Sequence, residues 1–292
     1  MWTESFDIEG PYNFDLVLDR LSNDPLSAVD LANRSIKVPL YAGGKSAVIH
    51  VKATGTTDAP SFTLSGNDLQ TKEAGISRVK AIFQWHLPLE DIHTHFERSD
   101  LGDIFTEHRG TPLILDFDPY ACLVKCIVHQ QLNLAFAYTL TARYVKAFGR
   151  EADGAWFYPE PKTAARLSVE ELRELQFSTR KAEYLIGLSQ QIASGELDLD
   201  ELSREPDDII IDKLTAIRGI GRWTAENFLL FGLGRPNLFP MADIGIQNAL
   251  KKLYVMEQKR TREQMEALSG SWQPYLSYAS LYLWRSIEKR SE

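Results

Sequence analysis

The sequence predicts an α+β domain over residues 1–112 followed by an all-α domain over residues 113–292, and three observations carry that division. Up to about residue 112, β-branched and aromatic residues alternate in short runs broken by Gly, Thr and Pro, which is the period of half-buried strands. From Tyr120 onward apolar residues recur every three or four positions, the period of helices that bury one face. Within this second part stands Leu214-Thr-Ala-Ile-Arg-Gly-Ile-Gly-Arg-Trp-Thr-Ala225, which reads as a helix, a tight glycine-bounded hairpin and a second helix.

In chain order, 14–21 reads as a short amphipathic helix. Segments 35–41 and 47–53 form a hairpin around Gly43-Gly44, and 61–64 is a third extended piece. Two amphipathic helices follow at 77–85 and 89–98, and Arg109-Gly110-Thr111-Pro112 reads as an exit link. Residues 120–128 are apolar on most sides, with Cys122 and Cys126 as small core residues on one buried face. Leu134, Ala137, Leu140, Tyr144 and Phe148 make the next helix, which stops at Gly149, and His129-Gln130-Gln131 is the polar break between the two. Ser168-Val-Glu-Glu171 has the form of a capping box. Ser178 begins a helix that Gly195 ends, and Pro206-Asp207-Asp208 opens another. Later helices fall at 223–233, 244–254, 261–268 and about 275–290. There is no internal repeat and no low-complexity tract.

The bulk numbers describe an ordinary globular chain: 292 residues, 44% hydrophobic and 25% charged. The N-terminus lacks an apolar targeting segment and no run reaches the length of a membrane span, so the expected location is cytoplasmic, associated with the nucleoid through DNA. Two cysteines supply neither a disulfide framework nor four thiolates for zinc or iron–sulfur. A formal charge of −8 weighs against a partner held by a broad basic surface. Most of the excess acid lies in residues 1–116, with 10 Lys+Arg against 17 Asp+Glu, whereas 117–292 is nearly balanced at 22 against 23. The acidic first part therefore reads as support for the fold; its loss is expected to lower stability more than affinity for DNA.

A glycine-bounded hairpin between helices leaves backbone N–H groups pointing outward, and donors at a helix start suit a phosphate. Gly219, Ile220, Gly221, Arg222 and Thr224 are thus the candidate grip on a DNA backbone. Asp243 lies about one helix further on. Asp is a preferred helix N-cap, and Ile246, Leu250 and Leu253 show a helix starting just after it, so capping and chemistry are both open for this carboxylate. Two other motifs carry little. Gly43-Gly44-Lys45-Ser46 lacks the upstream glycine and following helix of a phosphate loop, and His93-Thr-His95 lacks a third metal ligand, so these histidines are expected on a solvated helix surface.

The hairpin followed by an aspartate about twenty residues later resembles the helix-hairpin-helix DNA glycosylase superfamily, and within it the 3-methyladenine DNA glycosylase II (AlkA-type) family. Ile127-Val-His-Gln-Gln-Leu-Asn-Leu134, Ser178-Thr-Arg-Lys-Ala-Glu-Tyr-Leu185, Gly195-Glu-Leu-Asp-Leu199 and the stretch from Ser271 to Arg285 fit as well. The specific motifs cover about residues 117–288, and the N-terminal domain, with Pro11-Tyr12-Asn13-Phe14, matches that family's extra domain more loosely.

The resemblance implies two helical subdomains with the active site in the cleft between them. It also implies base excision, in which a damaged nucleotide leaves the duplex and its N-glycosidic bond is hydrolysed. On that reading Asp243 is catalytic. The lysine of relatives that also cleave the backbone is replaced by Trp223, which implies a monofunctional enzyme. Trp223, Trp272, Tyr275, Phe14 and Tyr120 are the candidate base pocket, since cationic bases favour π faces. Gln131 and Leu132 are the candidates for the wedge that fills the gap in the base stack. The expected substrates are alkylated purines of the 3-methyladenine and 7-methylguanine type in double-stranded DNA. No organic cofactor is expected; a monovalent cation at the hairpin is implied by resemblance alone. The chain is expected to act as a monomer. The alternatives are a glycosylase of the same fold for oxidised or deaminated purines, or a non-catalytic helix-hairpin-helix DNA-binding protein.

Overall fold

The computed structural model describes residues 1–42, 44–255 and 261–288. The first part holds β1 (Trp2–Asp7), α1 (Phe14–Ser22), β2 (Ala28–Asp30), β3 (Ser35–Ala42), β4 (Lys45–Ala53) and β5 (Ser61–Gly66). It continues with α2 (Lys72–Ile82), α3 (Leu89–Phe96) and α4 (Gly102–Glu107). The strands form one antiparallel sheet in the order β1-β5-β4-β3-β2. The β3–β4 register pairs Ile36 with Val51 and Val38 with Ile49. That register puts these residues, with Leu40, Phe62 and Leu64, on the buried face. The β3–β4 pairing runs to Ala42 and Lys45; of the turn expected at Gly43-Gly44, Gly43 lies outside the described residues.

Two strands of this sheet escaped the sequence reading, as did a short hairpin at 150–157 in the part read as all-α. β1 is an edge strand whose partner β5 lies some sixty residues away, and β2 is three residues long; neither leaves a local pattern strong enough to see. The second helix spans Lys72–Ile82 rather than 77–85. It closes where Gln84 takes φ 54°, leaving Trp85 to stack on Phe62 at 4.5 Å and to lie tilted against Phe83 at 6.2 Å.

The helical part runs α5 (Pro119–His129), α6 (Leu134–Phe148), a small hairpin β6 (Arg150–Ala152) and β7 (Ala155–Phe157), then α7 (Pro161–Ala164) and α8 (Val169–Glu174). It continues with α9 (Thr179–Ser194), α10 (Leu199–Leu202), α11 (Asp207–Thr215), α12 (Arg222–Asn227), α13 (Ile244–Leu253), α14 (Arg262–Ser269) and α15 (Leu276–Arg285). The cap signals sit where they were read. Ser168 and Glu171 make the reciprocal capping box, Ser178 caps α9, and Gly195 ends it in the left-handed conformation. The helix expected over 223–233 is α12 followed by a wider π-helical turn, Phe228–Gly232.

The core does not stop at residue 112. One apolar cluster joins the sheet and α2–α4 to α5, the hairpin helices and α15. Phe105 stacks on Tyr282 at 3.8 Å. His93, expected at a solvated surface, is buried in this seam. Its Nε2 accepts from the Gly110 N–H at 2.9 Å and meets the Tyr282 hydroxyl at 3.0 Å, and burial pushes its pKa down to about 4. A histidine on the inner face of a short helix is satisfied by partners that only the chain's return at residues 110 and 282 provides.

Candidate active site

Asp243 is the N-cap of α13, its Oδ1 accepting from the Ile246 N–H at 3.0 Å. Two indoles add to this. Trp223, from α12, donates through Nε1 to Oδ2 at 2.9 Å, and Trp284, from α15, donates through Nε1 to Oδ1 at 2.8 Å. Three N–H donors from three helices thus fix the orientation of a half-exposed carboxylate. Gly245 makes the arrangement possible: a Cβ there would lie 2.8 Å from Trp284 Cδ1 and 2.9 Å from Asp243 Oδ1. The preceding loop is held by Gln247, whose Nε2 donates to the Met241 carbonyl at 2.8 Å.

A cavity of about 700 Å³ lies on the other side of Trp223; Asp243 itself does not line it, and its volume suits a base-sized ligand. Trp223 connects the two, since it lines the cavity and also holds Asp243. Phe231, with which Trp284 stacks at 5.7 Å, forms part of the same wall. Tyr120, Tyr138, Trp156 and Tyr158 supply further aromatic surface.

The structure therefore brings two of the five expected pocket aromatics, Trp223 and Tyr120, to the cavity and leaves three elsewhere. Phe14 is 1% exposed and packs edge-on against Phe62. Trp272, 0% exposed, donates its indole N–H to Asp100 at 2.9 Å and packs edge-on to Phe239. Tyr275 is half-buried against the His95 ring. Each fills a gap between elements, the commonest use of an aromatic side chain on a helix. Trp284, Phe231, Tyr138 and Trp156 were missed because nothing local marks them; they meet the site only through helix packing.

The hairpin is built as its glycines demand. Gly219 has φ 93°, and a Cβ there would lie 2.1 Å from the Tyr184 ring, so no side chain fits. Ile220 is buried and anchors the turn, its N–H donating to the Ile217 carbonyl at 3.0 Å. Gly221 and Arg222 are exposed. Thr224 corrects the expectation for this group: it is 1% exposed, and its Oγ1 accepts from Gln130 Nε2 at 3.0 Å, so it faces inward.

Gln130 also donates to the Gly219 carbonyl at 2.9 Å, tying the break between α5 and α6 to the hairpin. From α9, Lys181 donates to the carbonyls of Ile127, Val128 and Gln130 at the end of α5. Desolvation at that place pushes its pKa down to about 8. Held from both sides, the corner presents Gln131 outward, exposed and at φ 56°. Leu132 is half-buried and packs on the core around α5, α6 and α9.

Among the described residues no helix is long and apolar enough to cross a membrane. Residues 124–274 match the model of the HhH-GPD superfamily of base excision DNA repair proteins. A Bacillus subtilis (strain 168) protein, provisionally named DNA-3-methyladenine glycosylase YfjP, is 53% identical over 289 residues, covering 99% of this chain and 100% of that one. The 3-methyladenine DNA-glycosylase of Archaeoglobus fulgidus superposes with a TM-score of 0.82 at 23% identity, covering 97% of each chain. The 3-methyladenine DNA glycosylase Mag1 of Schizosaccharomyces pombe, solved with abasic DNA, gives 0.60 at 25% identity, covering 69% of this chain and 99% of that one. With its hairpin, its capped aspartate and its full-length likeness to such relatives, the chain belongs to the HhH-GPD superfamily and is a DNA glycosylase of that family.

Proposed function

We propose that this enzyme excises alkylated purines of the 3-methyladenine and 7-methylguanine type, using Asp243 against a base flipped into the cavity. The observation that carries the reading is the convergence of three N–H donors on Asp243 beside that aromatic-walled cavity. As the glycosidic bond breaks, the sugar becomes an oxocarbenium cation. A carboxylate about 4 Å away stabilises it by on the order of 4 kcal/mol at an effective dielectric near 20, against about 1 kcal/mol in water. An alkylated purine is already cationic, so it leaves readily and its charge suits the π faces of the wall. Asp243 can also orient or deprotonate the attacking water.

Trp223 stands where a lyase would carry its Schiff-base lysine, so the chemistry ends with the base released and the strand intact. The turn grips the backbone through its exposed Gly221 and Arg222, while the cavity that receives the base is walled by the helical part on one side and by α1 and β3 of the first part on the other. A monovalent cation there would be held by hairpin carbonyls, of which that of Gly219 already accepts one hydrogen bond, from Gln130, and keeps a second lone pair. Gln131 enters the stack in place of the flipped base; its exposure, beside a half-buried Leu132, supports that assignment.

The test is single-turnover release of bases from duplexes carrying 3-methyladenine, 7-methylguanine, 8-oxoguanine or hypoxanthine. Release of the methylated bases without strand cleavage is expected. Faster release of 8-oxoguanine than of either methylated base would overturn the lesion class.

A further inference from the structure

The cavity wall carries polar groups that the chemistry at Asp243 does not use. Lys125, on α5, and Asp116, in the segment leading into that helix, both line the cavity and pair at 2.5 Å between Nζ and Oδ1. Asp116 is fixed through its backbone, its N–H donating to the Phe231 carbonyl at 2.7 Å. One turn along α5, His129 bonds Thr141 Oγ1 at 3.2 Å and stands edge-on to Tyr138 at 5.4 Å. Asp24 and Tyr158 share the cavity and act on the Lys125 ammonium.

An ammonium has three N–H donors and no acceptor. Among the described residues, Asp116 is the one hydrogen-bond acceptor of Lys125, which leaves two donors at the wall of an aromatic cavity. A buried ion pair gains little over apolar side chains of the same volume, so stability alone does not account for this one. The charged side chains lining the cavity, Arg20, Lys125 and Lys162 against Asp24, Asp116, Asp118 and Glu160, leave a small negative excess that fits a cationic ligand.

We propose that Lys125, positioned by Asp116, is the base-reading donor of this pocket: its Nζ hydrogen-bonds the exocyclic O6 of a flipped keto purine. The inference rests on the glycosylase reading of the cavity given above. Guanine presents O6 as an acceptor where adenine presents the N6 amino group, a donor. Lys125 can bond the first and meets only N–H groups on the second. Guanine- and hypoxanthine-type lesions therefore depend on Lys125, whereas release of 3-methyladenine depends on the aromatic walls.

The experiment compares the full chain with Lys125→Met in single-turnover release of 7-methylguanine, hypoxanthine and 3-methyladenine from duplexes of one sequence. The variant is expected to lose about tenfold or more on both keto purines, the scale of an unmade hydrogen bond in a specificity site, while 3-methyladenine release stays within about threefold. The double variant Lys125→Met/Asp116→Asn strands no charge and is expected to show the same selective loss, so the test stands even where the single variant folds poorly. An equal loss on all three bases, no loss on any, or a wild type that releases 3-methyladenine alone would overturn the assignment to Lys125. A wild type that releases none of the three would overturn the glycosylase reading itself, which is a separate outcome.

Discussion

Asp118 and Asp243 are the same local device in two settings. Each is a helix N-cap with extended backbone, and each accepts from the N–H three residues on, Ala121 at 2.8 Å and Ile246 at 3.0 Å. Asp118 is half-buried and lines the cavity, and desolvation raises its pKa above the usual carboxylate range. Asp243 is half-buried too, but two indole donors from helices 20 and 41 residues away add to its cap. The cap is a property of sequence and is common to both. What separates the two carboxylates is the number of side-chain donors that tertiary packing brings to each.

The sharpest way to break the comparison is to make the same change at both. Asn caps a helix as well as Asp does, so Asp243→Asn keeps the cap and removes the charge. Its single-turnover base release is expected to fall about 10²–10³-fold, the scale of one preorganised electrostatic group. Release surviving at the wild-type rate would end the catalytic assignment.

Acid provides the second test, on the helix that Asp118 opens. Burial and the nearby Lys125 charge push the His129 pKa down to about 3, against about 6.5 in an unfolded chain. Below pH 6.5 the unfolded chain takes up a proton that the folded one refuses, so stability falls with pH across that window. The loss between pH 6.5 and pH 5 is expected to be about 2 kcal/mol. Thermal melts of wild type and His129→Gln should show a shallower pH slope in the variant; equal slopes would contradict it.

A finer cut leaves every charge in place. Gly245→Ala would set a Cβ against both Trp284 and Asp243, displacing the indole donor. Base release is expected to drop about tenfold, the lower end for a lost donor, with the helix otherwise intact by circular dichroism. Unchanged release would show that the Trp284 bond is dispensable.

The smallest effect belongs to Asp118→Asn, which keeps a cap and removes a desolvated charge. The melting temperature at neutral pH is expected to hold or rise, with a change under about 1 kcal/mol, and base release to stay within about threefold. A rate loss matching that of Asp243→Asn would erase the distinction between the two aspartates.

Much of the fold was legible because its signals are local. The Ser168–Glu171 box, the Gly195 stop, the Gly219–Gly221 hairpin and the Asp243 cap each depend on a few consecutive residues, and each stands where the sequence put it. The edge strand β1 was not legible, since an edge strand is defined by a distant partner. Trp272 and Phe14 looked like pocket residues because an aromatic side chain on a helix has the same local pattern whether it faces a ligand or the core. Trp284 and Lys181 lie in stretches that carry the family resemblance, but nothing in their spacing gives them a role; their roles come from one indole reaching Asp243 and one ammonium reaching three carbonyls at the end of α5.

By itself, then, the sequence determined the helix ends that a cap or stop residue marks, the hairpin and the position of the carboxylate, because backbone conformation and capping are settled within a turn or two of chain. The tertiary structure alone decided which aromatics line the cavity, which donors orient Asp243 and where Lys125 meets Asp116. Those contacts join elements up to 41 residues apart around Asp243, and they form only when helices pack.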